Sequence, residues 1–326
     1  MISIIGAGKV GSASAFNVLR LGISDVVLLD IAEELARGEA LDMMQAAPAI
    51  EFDGYVKGTS DFSEIGGSEV TVIVAGAGRK PGMTRLDLAN VNSRIVKSVV
   101  KEVVKFAPES KIMVVTNPVD VMTYVAYKES GFERNRVFGI GNVLDTMRFR
   151  SYIAAELNAS REDIRALVIG EHGDSMVPLV DYATVSGIPI KTLLRKDQIE
   201  KILSLTKTSG SEVIKLKRAT TYGPAVVIAI TVDAVLRGRN RVMGVSTVLQ
   251  GEFGLSDISI GVPVILGKNG IERILELELN PQAKKQFGES ASIIKDITYK
   301  CTRQAQDQTS TRTRSVRASS NFQHTG

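Results

Sequence analysis

The chain has a single cysteine, Cys301, no tryptophan, and only two histidines, His172 and His324, among its 326 residues. One cysteine rules out an intramolecular disulfide, so nothing in the fold depends on an oxidising compartment. One cysteine and two histidines, the second in a polar C-terminal stretch, cannot build a convincing ligand cluster, and no metal is expected. Proline is sparse too, 9 residues against 29 glycines, which favours tight strand-to-helix turns over a loop-rich chain. Long apolar runs are missing. The most apolar stretch, 224–232, stops at Asp233 and is too short to cross a bilayer. The N-terminus enters an apolar segment at once, Met1-Ile2-Ser3-Ile4-Ile5, without the basic leader of a signal peptide. A cytoplasmic protein without membrane association is expected.

Charge is not concentrated where a polyanion would need it. The net charge is +4, but residues 302–326 hold Arg303, Arg312, Arg314 and Arg317 against Asp307, which leaves the body nearly neutral. Only Phe322 could offer a stacking surface beside those arginines, so no nucleic-acid-binding face is expected. Hydrophobic residues make up 44% and charged residues 23%, the balance of a globular chain with a substantial core, and the length suits about two domains.

The first half alternates short apolar runs with amphipathic stretches. Strands are expected over 2–5, 26–29, 70–74 and 111–115, with helices over 10–21, 32–47 and 91–106. Apolar runs without alternation imply strands buried on both faces, hence a parallel sheet covered by helices. The fold class expected for residues 1–143 is therefore α/β, a Rossmann-type doubly wound parallel sheet. An α+β substrate domain follows over 144–301. Its helices are expected at 145–157, 198–218, 224–237 and 281–297, a strand at 166–169, and antiparallel strands at 241–249 and 262–266. Residues 302–326, rich in Ser, Thr, Arg and Gln, read as a disordered basic tail.

Gly6-Ala7-Gly8-Lys9-Val10-Gly11 is a G-x-G-x-x-G element that follows the first strand and opens the first helix. Alone it is weak; its context strengthens it. Gly6 permits the tight turn, Gly8 lets backbone approach a pyrophosphate, and Gly11 allows close helix–strand packing. The helix start offers free N–H groups and a positive dipole end. Asp30, at the end of the next strand, would accept hydrogen bonds from ribose hydroxyls and repel a 2′-phosphate, so NAD is the expected cofactor.

An alcohol dehydrogenation needs a group that gains and loses a proton near neutral pH, which points to histidine. His172 lies in Gly170-Glu171-His172-Gly173-Asp174, just beyond an expected strand end. The segments Gly78-Arg79-Lys80-Pro81-Gly82-Met83-Thr84-Arg85, Thr116-Asn117-Pro118, Leu144-Asp145-Thr146-Met147-Arg148 and Gly170 to Asp174, in this order, resemble the signatures of the lactate/malate dehydrogenase family. The likeness runs over nearly all of residues 1–301 and is nearest the lactate-dehydrogenase-like branch of the members that use malate.

The resemblance implies a reversible hydride transfer between a 2-hydroxy acid and NAD. His172 would be the proton relay, Asp145 would fix its tautomer, and Arg148, three residues on along the same helix, would grip the substrate's C1 carboxylate. Arg79 and Arg85 would sit on a closing loop, with Arg85 polarising the carbonyl oxygen. Asn117 would contact both substrate and nicotinamide ribose. Asn92 and the Val115 backbone would line the cofactor site, and Thr220 the substrate pocket. Arg79 would favour malate and oxaloacetate over lactate and pyruvate, because a cation in a closed pocket needs the second carboxylate as its partner. Family members are homodimers or homotetramers. The competing readings are an L-lactate dehydrogenase and, in a different class, a noncatalytic NAD-binding scaffold. The scaffold would keep Gly6, Gly8, Gly11 and Asp30 without needing His172, Asp145 and three arginines.

Overall fold

The computed structural model describes residues 1–78 and 82–320, with side chains up to Arg303. Its first part carries six parallel strands: β1 (Ile2–Ile5), β2 (Val26–Leu29), β3 (Val56–Thr59), β4 (Val70–Ile73), β5 (Lys111–Val114) and β6 (Val137–Gly139). Helices α1 (Lys9–Arg20), α2 (Glu33–Ala46), α3 (Arg85–Phe106) and α4 (Val119–Ser130) cover them. The strands stand in the order β6-β5-β4-β1-β2-β3, the doubly wound α/β arrangement. Every residue of β1, β2 and β4 is buried, as continuous apolar strands between two helical layers require. Val18, Leu28, Ile228 and Val232 pack on one face of the sheet, and Val96, Val100, Val121 and Val125 on the other.

Two of these strands are not among those expected from the sequence. In β3, Val-Lys-Gly-Thr, only Val56 and Thr59 are buried, so it carries no apolar run. Strand β6 is three residues long, too short to stand out.

The second part comprises α5 (Gly141–Leu157), β7 (Ile164–Arg165), β8 (Val168–Ile169), β9 (Val177–Pro178), β10 (Thr184–Val185), β11 (Ile188–Pro189), α6 (Ile190–Leu193), α7 (Lys196–Lys217), α8 (Tyr222–Leu236), β12 (Arg241–Gln250), β13 (Ser256–Gly267), β14 (Gly270–Ile274) and α9 (Pro281–Ser320). Strands β12, β13 and β14 form an antiparallel meander. They do not build a sheet of their own: β12 joins β6 through Ser246 and Gly139, extending the first sheet to nine strands.

Three boundaries differ from expectation in ways that affect the site. Helix α3 starts earlier than 91, at Arg85, because a capping box sets it: Asp87 N–H donates to Thr84 Oγ1 at 3.1 Å and Thr84 N–H donates to Asp87 Oδ2 at 3.0 Å. Arg85 is thus the first residue of a helix rather than part of a loop. Helix α5 starts at Gly141, which places Asp145 well inside it. The backbone of α9 continues to Ser320, beyond Thr302 where loss of order was expected; no glycine or proline falls between Gly288 and Gly326 to stop it.

Candidate active site

The strand order reverses between β1 and β4, and such a switch point opens a crevice beyond the carboxyl ends of the strands. The glycine turn lies at this edge. Gly6 adopts φ +110°, a conformation open to glycine, and a Cβ there would meet Ala75 N at 2.8 Å. A Cβ on Gly11 would lie 1.8 Å from Gly6 O, so the start of α1 packs on the turn itself. Gly8 is different. Nothing of the protein lies within 4 Å of its Cβ position, so the open side of the turn is left for a ligand to approach. Helix α1 has no side-chain cap and no acidic residue in its first turn, and Lys9 and Val10 open it.

Asp30 faces the same turn. Its Oδ2 accepts from Ala7 N–H at 2.7 Å and its Oδ1 from Ala32 N–H at 3.0 Å. The carboxylate is therefore oriented by the turn it serves, with lone pairs left for hydroxyl donors. Ala7 N–H is spent on Asp30 and is not a phosphate donor. These residues fit the adenosine and pyrophosphate portions of NAD.

Asn92 is fully buried and its side chain is committed to backbone. Oδ1 accepts from Ala77 N–H at 2.7 Å, while Nδ2 donates to Asn117 O at 2.7 Å and to Ala77 O at 3.2 Å. It ties the loop after β4 to the loop after β5. Asn117 itself is exposed at the sheet edge, and Val115 is half-buried with its N–H on Ile73 O at 2.9 Å. The Asn117–Pro118 bond is cis.

Beyond Pro118, α4 leads directly to the histidine. His172 Nδ1 lies 2.7 Å from Asp145 Oδ2, and Arg148 donates to the other oxygen, Asp145 Oδ1, at 3.1 Å. Asp145 is completely buried; the side chains of His172 and Arg148 are 17% and 15% exposed, so each keeps a solvent-accessible edge. Asp145 and Arg148 form an ion pair, but a buried one that includes the imidazole, not a solvated surface pair. Gly210 of α7 makes room for Arg148, since a Cβ there would meet its Nη1 at 3.3 Å.

Burial disfavours charge on His172, but the Asp145 carboxylate, by its field and its hydrogen bond, more than offsets this and raises the imidazole pKa. On the backbone side of the same residue lies a second acid. Asp120, 2% exposed, accepts His172 N–H at 2.8 Å on Oδ2 and the Ser246 hydroxyl at 2.5 Å on Oδ1. Burial pushes its pKa up to about 6.

Arg85 reaches the same loop. One guanidinium nitrogen donates to Glu171, and the other to Asp174 Oδ2 at 2.7 Å. Glu171 is buried and also receives the Ser175 hydroxyl, while its own N–H donates to Ser290 Oγ at 2.6 Å. The structure thus gathers His172, Asp145, Arg148 and Arg85 about one loop at the sheet edge. No hydrogen bond among the described residues joins the half-buried Thr220 to this cluster. Arg79 lies outside the described residues.

Residues 1–139 match the family model for the lactate/malate dehydrogenase NAD binding domain, and residues 142–304 match its alpha/beta C-terminal domain. The chain belongs to the lactate/malate dehydrogenase family. It is an NAD-dependent oxidoreductase of that family, as the four motifs implied. A malate dehydrogenase of Bacillus subtilis is 45% identical over 300 residues, covering 91% of this chain and 96% of the relative. The solved malate dehydrogenase of Picrophilus torridus, in its apo form, superposes with a TM-score of 0.91 at 40% identity, covering 94% of this chain and 98% of that one. A lactate dehydrogenase of Cryptosporidium parvum, solved with lactic acid and its cofactor, gives 0.89 at 35% identity, covering 92% and 97%. Both substrate classes share this fold, so the fold alone does not choose between them.

The sequence analysis missed the layer behind the site. Asp120, Ser246, Ser290 and Gly141 all hold or make room for site residues, while Glu171 and Asp174 are legible in sequence only as members of the histidine motif. Asp120 carried a readable signal, an acid in the first turn of the helix after Asn117-Pro118. Ser246 and Ser290 carried none, because isolated serines in buried elements have no distinguishing spacing.

Proposed function

We propose that the chain is a malate dehydrogenase that interconverts (S)-malate and oxaloacetate, with His172 carrying the proton. The observation that carries this reading is the His172–Asp145–Arg148 cluster, which the Asp120–His172 contact joins to the start of α4, just after β5 and Asn117–Pro118. The nicotinamide of bound NAD supplies the hydride acceptor, or donor in reverse. Asp145 holds the Nδ1 proton, which leaves Nε2 as the base that takes the malate hydroxyl proton and returns it to the oxygen of oxaloacetate. The imidazolium then lies against a buried carboxylate, which stabilises it. Arg148 spends one nitrogen on Asp145 and keeps the rest of its planar fork for the C1 carboxylate. Arg85, held against the loop that carries His172, would polarise the C2 oxygen. Asn117 would bind substrate and nicotinamide ribose, Val115 the ribose through its backbone, and Thr220 the far wall of the pocket.

Arg79 would neutralise the second carboxylate. Its place in the sequence and the malate dehydrogenase names of the relatives support this choice over lactate. Without that counterion a buried guanidinium costs about 3–5 kcal/mol. Wild-type enzyme with NADH is therefore expected to prefer oxaloacetate to pyruvate, and Arg79→Gln to shift the ratio of kcat/KM toward pyruvate by roughly hundreds-fold or more. Steady-state rates on the two oxo acids test both statements, and a variant that keeps its full preference for oxaloacetate sinks the assignment.

The division at residues 143 and 144 into a cofactor and a substrate domain belongs to the same reading. Assembly as a homodimer or homotetramer is also proposed. Leu41, Ile214, Leu216, Tyr222 and Val226 on α2, α7 and α8 leave large apolar surface exposed, which supports contact with a second copy. Among the described residues no helix is long and apolar enough to cross a membrane, which agrees with the cytoplasmic location proposed.

A further inference from the structure

His172 stands between two buried carboxylates, and the reaction as proposed uses only one. Asp145 meets the ring; Asp120 meets the backbone N–H at 2.8 Å from the opposite side, on the first turn of α4. The remaining charges around the histidine come from Arg148 on α5, Glu171 and Asp174 on its own loop, and Arg85 on α3, which binds both loop carboxylates. Asp120 has no arginine or lysine partner within ion-pair distance among the described residues, so its charge is not cancelled locally. Two donors and the positive end of α4 favour its ionised form. Ser246, one of those donors, is the β12 residue paired with Gly139 of β6, so the contact lies on the seam between the two parts of the sheet.

We propose that Asp120 is a positioning residue that, through the backbone of His172, fixes the loop and, through its charge, sets the pH at which the imidazole gives up its proton. The inference rests on the reading of His172 as the proton carrier. A carboxylate held at this range stabilises the imidazolium, so the histidine stays protonated to higher pH than Asp145 alone would keep it. Burial lifts Asp120 to about 6 and each group acts on the titration of the other, so the effect on His172 belongs to the pH range above that value, where Asp120 carries its charge. The signs are then fixed. Oxaloacetate reduction needs imidazolium and fades as pH rises through the His172 midpoint. Malate oxidation needs neutral imidazole and fades as pH falls through it. Removing the Asp120 charge moves both limbs to lower pH.

Asp120→Asn separates charge from structure: Oδ1 can still accept His172 N–H, and the amide can donate to Ser246. The chain has two histidines, so the imidazole signals of the full-length protein are few, and His172→Gln assigns them. The expected result for Asp120→Asn is a His172 NMR midpoint lower by roughly half a unit, the oxaloacetate-reduction limb displaced with it, and NADH affinity unchanged. An unmoved midpoint in the folded variant overturns the inference. If Asp120→Asn does not fold, Asp120→Ser, which removes the charge and keeps a hydroxyl acceptor for His172 N–H, is read for the midpoint instead: a fall is expected, and an unmoved midpoint overturns the inference equally. Ser246→Ala leaves the Asp120 charge in place, so it serves only as a check on the Ser246–Asp120 hydrogen bond. The NMR titration is read without substrate and is indifferent to which oxo acid is reduced. A midpoint that moves while the rate limbs stay fixed supports the electrostatic inference and overturns the proton-carrier reading beneath it.

Discussion

Gly141 has no functional group, yet the histidine depends on its lack of a side chain. A Cβ at this position would lie 2.4 Å from both Cβ and Cγ of His172, closer than any real contact. Because Gly141 belongs to α5, the helix that also carries Asp145, neither side can give way without moving part of the dyad. Gly141→Ala is therefore expected to push the imidazole off Asp145, and a misplacement of about 1 Å at a reacting group costs on the order of 100-fold in rate. The measurement is kcat against the NADH dissociation constant, with the first falling and the second holding; near-normal turnover would show that the loop can absorb the methyl group. At this scale the sequence was informative where chemistry and local spacing coincide. Asp145 and Arg148 lie three apart on one helix face, and His172 sits in a distinctive loop motif. It was silent where a distant serine meets a buried carboxylate, since Asp120 and Ser246 are brought together by the sheet alone.

Among the elements, α3 links capping to chemistry. Its capping box places Arg85 in the first helical turn, from which the guanidinium spans Glu171 and Asp174. Thr84→Ala removes the hydroxyl that accepts Asp87 N–H, a loss worth about 1 kcal/mol of helix stability. Fraying confined to that turn would loosen Arg85, so KM for oxaloacetate should rise several-fold while the urea midpoint drops only slightly. A large fall in kcat with KM intact would mean that Arg85 does not depend on the helix start. The position of this start was missed because apolar periodicity becomes clear only further along, whereas Thr84 and Asp87 flank a single leucine and the arginine. Strands β3 and β6 escaped for a related reason. The apolar signal of β1, β2 and β4 comes from burial on both faces, and β3, at the outer edge of the sheet, buries only two of its four residues.

For the whole molecule, the exposed apolar side chains of α2, α7 and α8 give a direct expectation. Leu216 and Tyr222 are 75% and 77% exposed, costly positions for such residues in an isolated chain. Light scattering on the purified protein should give a mass of two or four chains. Replacing Leu41 and Tyr222 by glutamate should shift it toward one, and a wild-type monomer at micromolar concentration would refute the proposed assembly.

The shared sheet has a further consequence. Strand β6 has β5 on one side and only the Ser246 segment of β12 on the other. Severing the chain near Ile140 would strip that cover from β6 and bare the Asp120 pocket on the same flank. An excised nucleotide-binding half would carry an unprotected strand margin, inviting stacking with its own kind. The two halves thus share one join: neither could be exchanged for a foreign module without rebuilding the seam that also holds the His172 loop.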